Sequence, residues 1–257
     1  MMKKILKNKN IIITGTARGI GHSMVETFAM YGANVIAHAR KSSDEHKNFC
    51  ADISKKENVS IYPVYFDITK QDEIKEAFNN IRMLKIPIDG LINNAGIGGN
   101  SLFQMTRMEE LRNIFETNFF GQFFWTQYIA KIMIRQKAGS IVNISSTSAL
   151  DGNSGKSAYG SAKAALIALT KSIAEEFGVS GIRANVICPG VVDTSSIHIM
   201  PDYIIDIEKE ATYLGKLTDP VDVANLAAFL ISDYSSYITG QVIRIDGGKT
   251  VYDKHKQ

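Results

Sequence analysis

Tyr159 and Lys163 stand four residues apart in a stretch, 157–178, that reads as one helix, so both side chains project from the same face a turn apart. A phenol with its ordinary pKa near ~10 is a poor proton donor or acceptor at neutral pH. An ammonium held beside it stabilises the phenolate and lowers that pKa. Ser146 follows an apolar, strand-like run at residues 140–145, from which its hydroxyl could reach the same place. A hydroxyl, a tuned phenol and a lysine that converge would move a proton to or from a carbonyl or alcohol oxygen. Taken alone, Tyr-x-x-x-Lys also describes an ordinary solvated i,i+4 pair. The elements that would have to position these groups decide between the two readings.

With 257 residues, 45% hydrophobic and 21% charged, the chain has the composition of an ordinary soluble globular protein, long enough for one large α/β domain or two small ones. No apolar run approaches the ~20 residues of a membrane span. The basic start runs into a strand rather than an apolar leader, which predicts a mature cytoplasmic protein. Cys50 and Cys188 lack metal-ligand spacing and fit a reducing compartment. The net charge of +3 is mild. Lysines near both ends (Lys3, Lys4, Lys7, Lys9, Lys249, Lys254 and Lys256) read as solvated termini, not a nucleic-acid footprint.

Residues 10–14 form a short β-branched strand that enters the turn Gly15, Thr16, Ala17, Arg18, Gly19, Ile20, Gly21, followed by a helical pattern over 22–30. Strand, glycine turn and helix together make a pyrophosphate cradle, in which glycines admit the backbone and the helix N-terminus offers unpaired N–H groups. A second strand, 34–38, ends in Ala39-Arg40-Lys41. An acid here would select a ribose 2′-hydroxyl, and a cation selects a 2′-phosphate. Arg18 and Arg40 therefore point to NADP(H) over NAD(H), the alternative being a solvent-exposed Arg-Lys pair.

Helix 43–57, strand 60–66, helix 71–84 and strand 88–92 follow. Asp67 closes the third strand, where it could accept from an adenine amino group or cap the next helix. Asn93, Asn94, Ala95 and Gly96 form another small polar turn. Residues 107–137 read as one long helix whose aromatic stripe suggests core or subunit interface. Asn118 interrupts it, either as a surface amide or as a residue that distorts the helix and holds a water near the site. The alanine-rich helix after Tyr159 again suggests self-association. Strand 182–188 leads to Pro189–Thr194, residues 195–216 have the weak periodicity of a substrate lid, and helix 219–231 and strand 241–245 close the pattern. His198 reads as a lid surface residue. No linker or repeat divides residues 1–257, so one domain is expected, a doubly wound parallel α/β sheet. Every turn singled out follows a strand and would share its carboxyl edge, which favours the proton-transfer reading of Tyr159 and Lys163.

These motifs closely resemble the short-chain dehydrogenase/reductase family: Thr14-Gly-x3-Gly-Ile-Gly21, Asn93-Asn-Ala-Gly96, Asn118, Ser146, Tyr159-x3-Lys163, Pro189-Gly190 and Asp246-Gly-Gly248. The resemblance implies a Rossmann-type fold of about seven parallel strands and a homotetramer, or a homodimer. It implies Tyr159 as proton donor to the substrate oxygen, Ser146 as its hydrogen-bonding partner, Lys163 on the nicotinamide ribose, and Asn118 in a water-mediated relay. Cofactor contacts would come from Gly15, Thr16, Arg18, Gly19, Ile20, Gly21, Arg40, Asp67, Ile68, Asn94, Ala95, Gly96, Pro189 and Gly190, with Tyr159 and Lys163. Val192 and Thr194 match positions that orient the carboxamide. Within the family the chain looks most like 3-oxoacyl-[acyl-carrier-protein] reductases, with sugar, polyol or other small hydroxy/keto compounds as the alternative substrates and a non-catalytic NADP(H) binder as a third reading. Lys137 matches a cation that such reductases place beside the site entrance for an acidic carrier protein, whereas Ser180 departs from that pattern.

Overall fold

A computed structural model of the chain describes residues 4–195 and 197–249. Lys3, Lys254, Lys256 and the lid residue Ser196 lie outside the described residues. Seven strands form one parallel sheet in the order β3-β2-β1-β4-β5-β6-β7. They are β1 (Asn10–Thr14), β2 (Asn34–Ala39), β3 (Ile61–Tyr65), β4 (Gly90–Asn93), β5 (Gly139–Ile144), β6 (Ile182–Pro189) and β7 (Val242–Ile245). The central strands are apolar runs buried on both faces, as a sheet sandwiched between helix layers requires. Pro63, which cannot donate to a ladder, sits in β3 at the sheet's edge.

Alternate residues of each strand face opposite layers. Ile11, Ile13, Val35, Ile92, Val142 and Ile187 pack with α1 (Gly19–Met30) and, from later in the chain, the helix Pro220–Ile231. Ile12, Ile36, Leu91, Ile141 and Ala184 face the other layer, which includes Phe78, Trp125 and Ile173. α2 (Asp44–Glu57) lies with the first layer through Cys50, and α3 (Gln71–Met83) with the second through Ile74, Phe78 and Ile81. The strand order reverses between β1 and β4, the switch point at which such sheets open a crevice for ligands.

The long helix expected over 107–137 is three pieces: α4 (Met108–Phe115), a π-turn (Glu116–Phe120) and α5 (Gly121–Gln136). The break has two causes. Asn118, fully buried, accepts from Ile97 N at 2.8 Å through Oδ1 and donates to Ile97 O at 2.9 Å through Nδ2. Gly121 packs so closely on the Ile68 carbonyl that any Cβ would overlap it. The aromatic stripe divides accordingly. Trp125 packs on Phe66 in the core with the rings tilted 44° apart, whereas Phe120 is 46% exposed.

A short α6 (Ser148–Asp151) lies between β5 and α7 (Ser157–Gly178). The expected lid contains α8 (Asp202–Glu210), whose Ile205 packs with Ile197 and Leu217, and α9 (Pro220–Ile231) follows, capped by Asp219. His198 pairs with Asp193 at 2.8 Å on the surface.

One expectation is overturned. Lys137 caps the C-terminus of α5 immediately before β5, while Ser146 lies beyond the other end of that strand. In a parallel sheet, loops that enter strands lie at the amino edge. Lys137 and its neighbour Ser180 are therefore a sheet's width from the Tyr159 edge of their own chain.

Candidate active site

The glycine turn is built for close backbone approach. Gly15 and Gly19 adopt φ of +75° and +59°, and a Cβ on Gly15 would sit 2.8 Å from Ala95 Cα. Gly21 lies against the Gly15 carbonyl, where no side chain fits. α1 begins at Gly19 with no side-chain cap and no acid in its first turn, so its N–H groups and positive dipole end are left for an anion. This arrangement fits the pyrophosphate of a dinucleotide. Arg18, the residue before α1, and Arg40, directly after β2, are both exposed beside it.

Several expected cofactor contacts also brace the turn. Thr16 is fully buried, its N–H donates to His38 O at 2.8 Å and its hydroxyl to the same oxygen at 3.0 Å, so neither group faces a ligand. Asn94 donates its side-chain amide to Thr14 O and Gly15 O. Ile20 and Ile68 turn their side chains into the two cores, so what either presents to a ligand is main chain. One oxygen of Asp67 accepts from the Thr69 N–H and hydroxyl in a local turn rather than capping α3, whose first residue is preceded by Lys70. Burial opposes it, but the two Thr69 hydrogen bonds, followed by the charges of Arg40 and Lys70, hold the Asp67 carboxyl below its ordinary pKa.

Sequence reading missed the residue that organises this cradle. His38 is 2% exposed, accepts from Gly15 N at 3.2 Å through Nδ1 and lies 2.8 Å from Phe66 O through Nε2. Accepting at one nitrogen and donating at the other makes it a neutral imidazole, and burial pushes its pKa down to about 4. Thr14 does similar work for the Asn94 turn, its hydroxyl accepting from Asn94 N and Ala95 N. A histidine in an apolar strand read simply as strand.

The proton-transfer residues meet at the same edge. α7 puts Tyr159 and Lys163 on one face, and β5 delivers Ser145 and Ser146 opposite them. Ser145 is buried and its hydroxyl donates to the Lys163 carbonyl at 2.8 Å, while Ser146 is partly exposed and hydrogen-bonds Tyr159. Lys163 is 3% exposed and donates from Nζ to Ile144 O at 2.8 Å, so β5 holds it at both ends. Burial brings its pKa down to about 8. Gly96 approaches so closely that its Cβ would lie 3.1 Å from Asn118 Oδ1 and 3.4 Å from Lys163 Nζ. On the far side, a Cβ at Gly160 would press within 2.8 Å of the Ser148 carbonyl, so α6 packs directly on the Tyr159 turn.

The electrostatics of the phenol run opposite to the expectation. Burial raises the Tyr159 pKa, and the one opposing influence is the Ser146 hydrogen bond, not Lys163. Lys163 Nζ, 5.9 Å from the ring centroid, is engaged on the Ile144 carbonyl. In the protein alone the site holds a protonated phenol.

On the remaining side, Thr147 N donates to Pro189 O and Gly190 N to Ile245 O, which fastens the end of β6 to β5 and β7. Val192 bridges Thr218, and Thr194 Cγ2 lies 3.3 Å from where a Gly19 Cβ would stand. Arg244 binds both Asp151 oxygens, at 2.7 and 2.8 Å, as well as Asp246, so it ties the Asp246-Gly247-Gly248 end to α6. That tie joins residues 93 apart and left no trace in local pattern.

Comparison with known proteins agrees with this arrangement. Residues 15–250 match the family model described as Enoyl-(Acyl carrier protein) reductase. The chain is 36% identical to a 3-oxoacyl-[acyl-carrier-protein] reductase of Aquifex aeolicus, over 95% of this chain and 98% of the relative. A solved short-chain type dehydrogenase/reductase from Mycobacterium ulcerans superposes with a TM-score of 0.88 at 29% identity, covering 95% of this chain and 90% of that one. A proposed gluconate dehydrogenase from Agrobacterium tumefaciens gives a TM-score of 0.91 at 28% identity, over 96% and 98% of the two chains.

Proposed function

This chain belongs to the short-chain dehydrogenase/reductase family and is an oxidoreductase of nicotinamide cofactors, and we propose that it is an NADP(H)-dependent reductase of a 3-oxoacyl thioester. The observation that carries this reading is the convergence of Ser146, Tyr159, Lys163 and Asn118 on the sheet edge that also carries the glycine cradle.

Gly15 to Gly21 and the N-terminus of α1 would hold the pyrophosphate, Arg18 and Arg40 the 2′-phosphate, and Asp67 and the Ile68 main chain the adenine. Ala95, Gly96, Lys163 and Tyr159 would hold the nicotinamide ribose side. Pro189, Gly190, Val192 and Thr194 would position the carboxamide. The bound cofactor supplies the hydride for the carbonyl carbon. Ser146 donates a hydrogen bond to the carbonyl oxygen and Tyr159 gives it its proton, which leaves a secondary alcohol. Lys163, poised near pH 8 by burial, stabilises the phenolate that Tyr159 becomes. The Asn118 side chain spends one acceptor position and one N–H on Ile97, and the main chain of the π-turn it shapes would hold the relay water. Exposed Phe120 beside Phe119 supports a homotetramer or homodimer built on α4 and α5, and the whole chain is proposed to act as one cytoplasmic domain.

A second reading, a small hydroxy/keto compound as substrate, is favoured by the place of Lys137, which within one chain lies at the sheet edge opposite Ser146. NADPH oxidation followed by absorbance with acetoacetyl thioester, keto-sugars and simple ketones separates the readings, with NADH as control. Thioester turnover with NADPH supports the first; a response only from small ketones moves the protein to the second. Tyr159→Phe should abolish turnover and keep NADPH binding, and normal turnover by that variant would refute the mechanism. Arg40→Asp should shift preference towards NADH.

A further inference from the structure

His46, in the first turn of α2, is 4% exposed although it closely follows the exposed Arg40. Its ring lies between the glycine turn and the sheet. Nε2 is 2.8 Å from the Thr16 hydroxyl, and Nδ1 is 3.1 Å from the hydroxyl of Tyr65, the last residue of β3. The partners decide where the ring proton sits. Thr16 has one hydroxyl proton and gives it to His38 O at 3.0 Å, so towards His46 that hydroxyl only accepts. Nε2 therefore carries the ring proton, and Nδ1 accepts from Tyr65. Burial, and after it the charge of His22, hold the His46 pKa below its ordinary value, which agrees with a neutral imidazole.

The same residue holds the far end of the loop that carries Arg40. Its backbone N–H donates to Ser43 Oγ at 3.2 Å, the cap with which α2 begins. The start of α2 is thus keyed through one imidazole to Thr16, and Thr16 lies in the turn that carries Arg18. Both arginines are exposed, so where their guanidiniums meet a ligand depends on the backbones beneath them. Two guanidiniums gain their full charge-assisted hydrogen bonds to one dianion only when both reach it at once. A small change in the spacing of the two loops forfeits part of that gain.

We propose that His46 is a positioning residue for cofactor selectivity: by tying the start of α2 to the glycine turn, it sets the spacing of Arg40 and Arg18 around the 2′-phosphate of NADP(H). It lies buried behind the turn and acts through the two arginines. The inference rests on the reading that these arginines take that phosphate. It also separates two roles for one residue. The pyrophosphate is common to NADH and NADPH, so a general loosening of the glycine turn weakens both cofactors alike, whereas a change in arginine spacing weakens NADPH alone.

The test titrates NADPH and NADH by nicotinamide fluorescence and reads the ratio of the NADH Kd to the NADPH Kd. His46→Leu should lower that ratio about tenfold, with the loss in NADPH affinity. His46→Gln, which keeps an N–H for Thr16, should lower it less. In an Arg40→Ala background His46→Leu should lower the ratio by a smaller factor than in the wild type, because one of the groups it positions is gone. If His46 merely braces the turn, the variants weaken both cofactors equally and the ratio stays put. That result overturns the inference and leaves the NADP(H) reading standing, as does a His46→Leu effect that multiplies in full with Arg40→Ala. Should His46→Leu fail to fold, His46→Gln and Tyr65→Phe carry the comparison, and a ratio unmoved in both overturns the inference. A wild type that shows no preference for NADPH overturns both readings at once.

Discussion

Lys163 should make the protein less stable than it would be without the charge. Burial sets its pKa at about 8 against an ordinary 10.5. At pH 7 the group is charged in both folded and unfolded chains, and folding must desolvate it. Each pH unit between the two values is worth about 1.4 kcal/mol, so the penalty is roughly 3 kcal/mol. Lys163→Met keeps the length and apolar stem but leaves Ile144 O without this donor, which costs about 1 kcal/mol. The variant should therefore be more stable at pH 7 by about 2 kcal/mol while losing turnover. The sign with pH follows from the depressed folded pKa. Between about pH 8 and 10.5 the unfolded chain holds the extra proton, so the wild type gains stability as pH rises through this window and the variant does not. Urea denaturation at pH 7 and pH 10, followed by fluorescence of the buried Trp125, reads the gap at both ends. A Lys163→Met variant that is less stable than wild type at pH 7, or a gap that does not narrow with pH, would show that burial does not perturb Lys163 in this way.

Tyr159 is held protonated by burial, so carbonyl reduction should be flat through neutral pH and fall in alkali, while alcohol oxidation, which needs the phenolate, should climb with pH; parallel pH profiles of the two directions check this. His38, pushed down to about 4, makes the unfolded chain the better proton binder between pH 6.5 and that value, so stability should fall on acidification over this window, and His38→Gln should flatten the loss in urea titrations. Gly21→Ala would force a Cβ into the Gly15 carbonyl, and should cost about 2–4 kcal/mol in thermal melts together with NADPH affinity. Asn118→Ala strips two hydrogen bonds from Ile97 and should cost about 2–3 kcal/mol, with turnover falling more than NADPH binding.

The fold was legible because its signals are local. β-branched runs of five or six residues, glycine turns after them and amphipathic helices between them repeat the same unit, and that unit has one handed solution. What failed were the places where tertiary contact overrides pattern. The apolar run 107–137 is helical by composition everywhere, yet it breaks where Asn118 prefers Ile97 to solvent and where Gly121 meets Ile68. Lys137 was placed by analogy with an entrance; the direction of β5 puts it at the opposite edge.

The site divides along the same line. Residue types picked out Ser146, Tyr159 and Lys163, and the structure brings the three together at one strand edge. Their protonation could not be read that way, because it depends on burial. Position along α7 predicts that Lys163 lowers the Tyr159 pKa, but the structure spends that ammonium on Ile144 O and leaves the phenol high. Thr16 shows the converse, a polar residue in the glycine turn whose N–H and hydroxyl are claimed from behind by His38 and His46. On the proposed mechanism, a phenol that burial keeps neutral suits a proton donor, and the electrostatics would be completed only on binding, when the Lys163 ammonium would exchange Ile144 O for the cofactor.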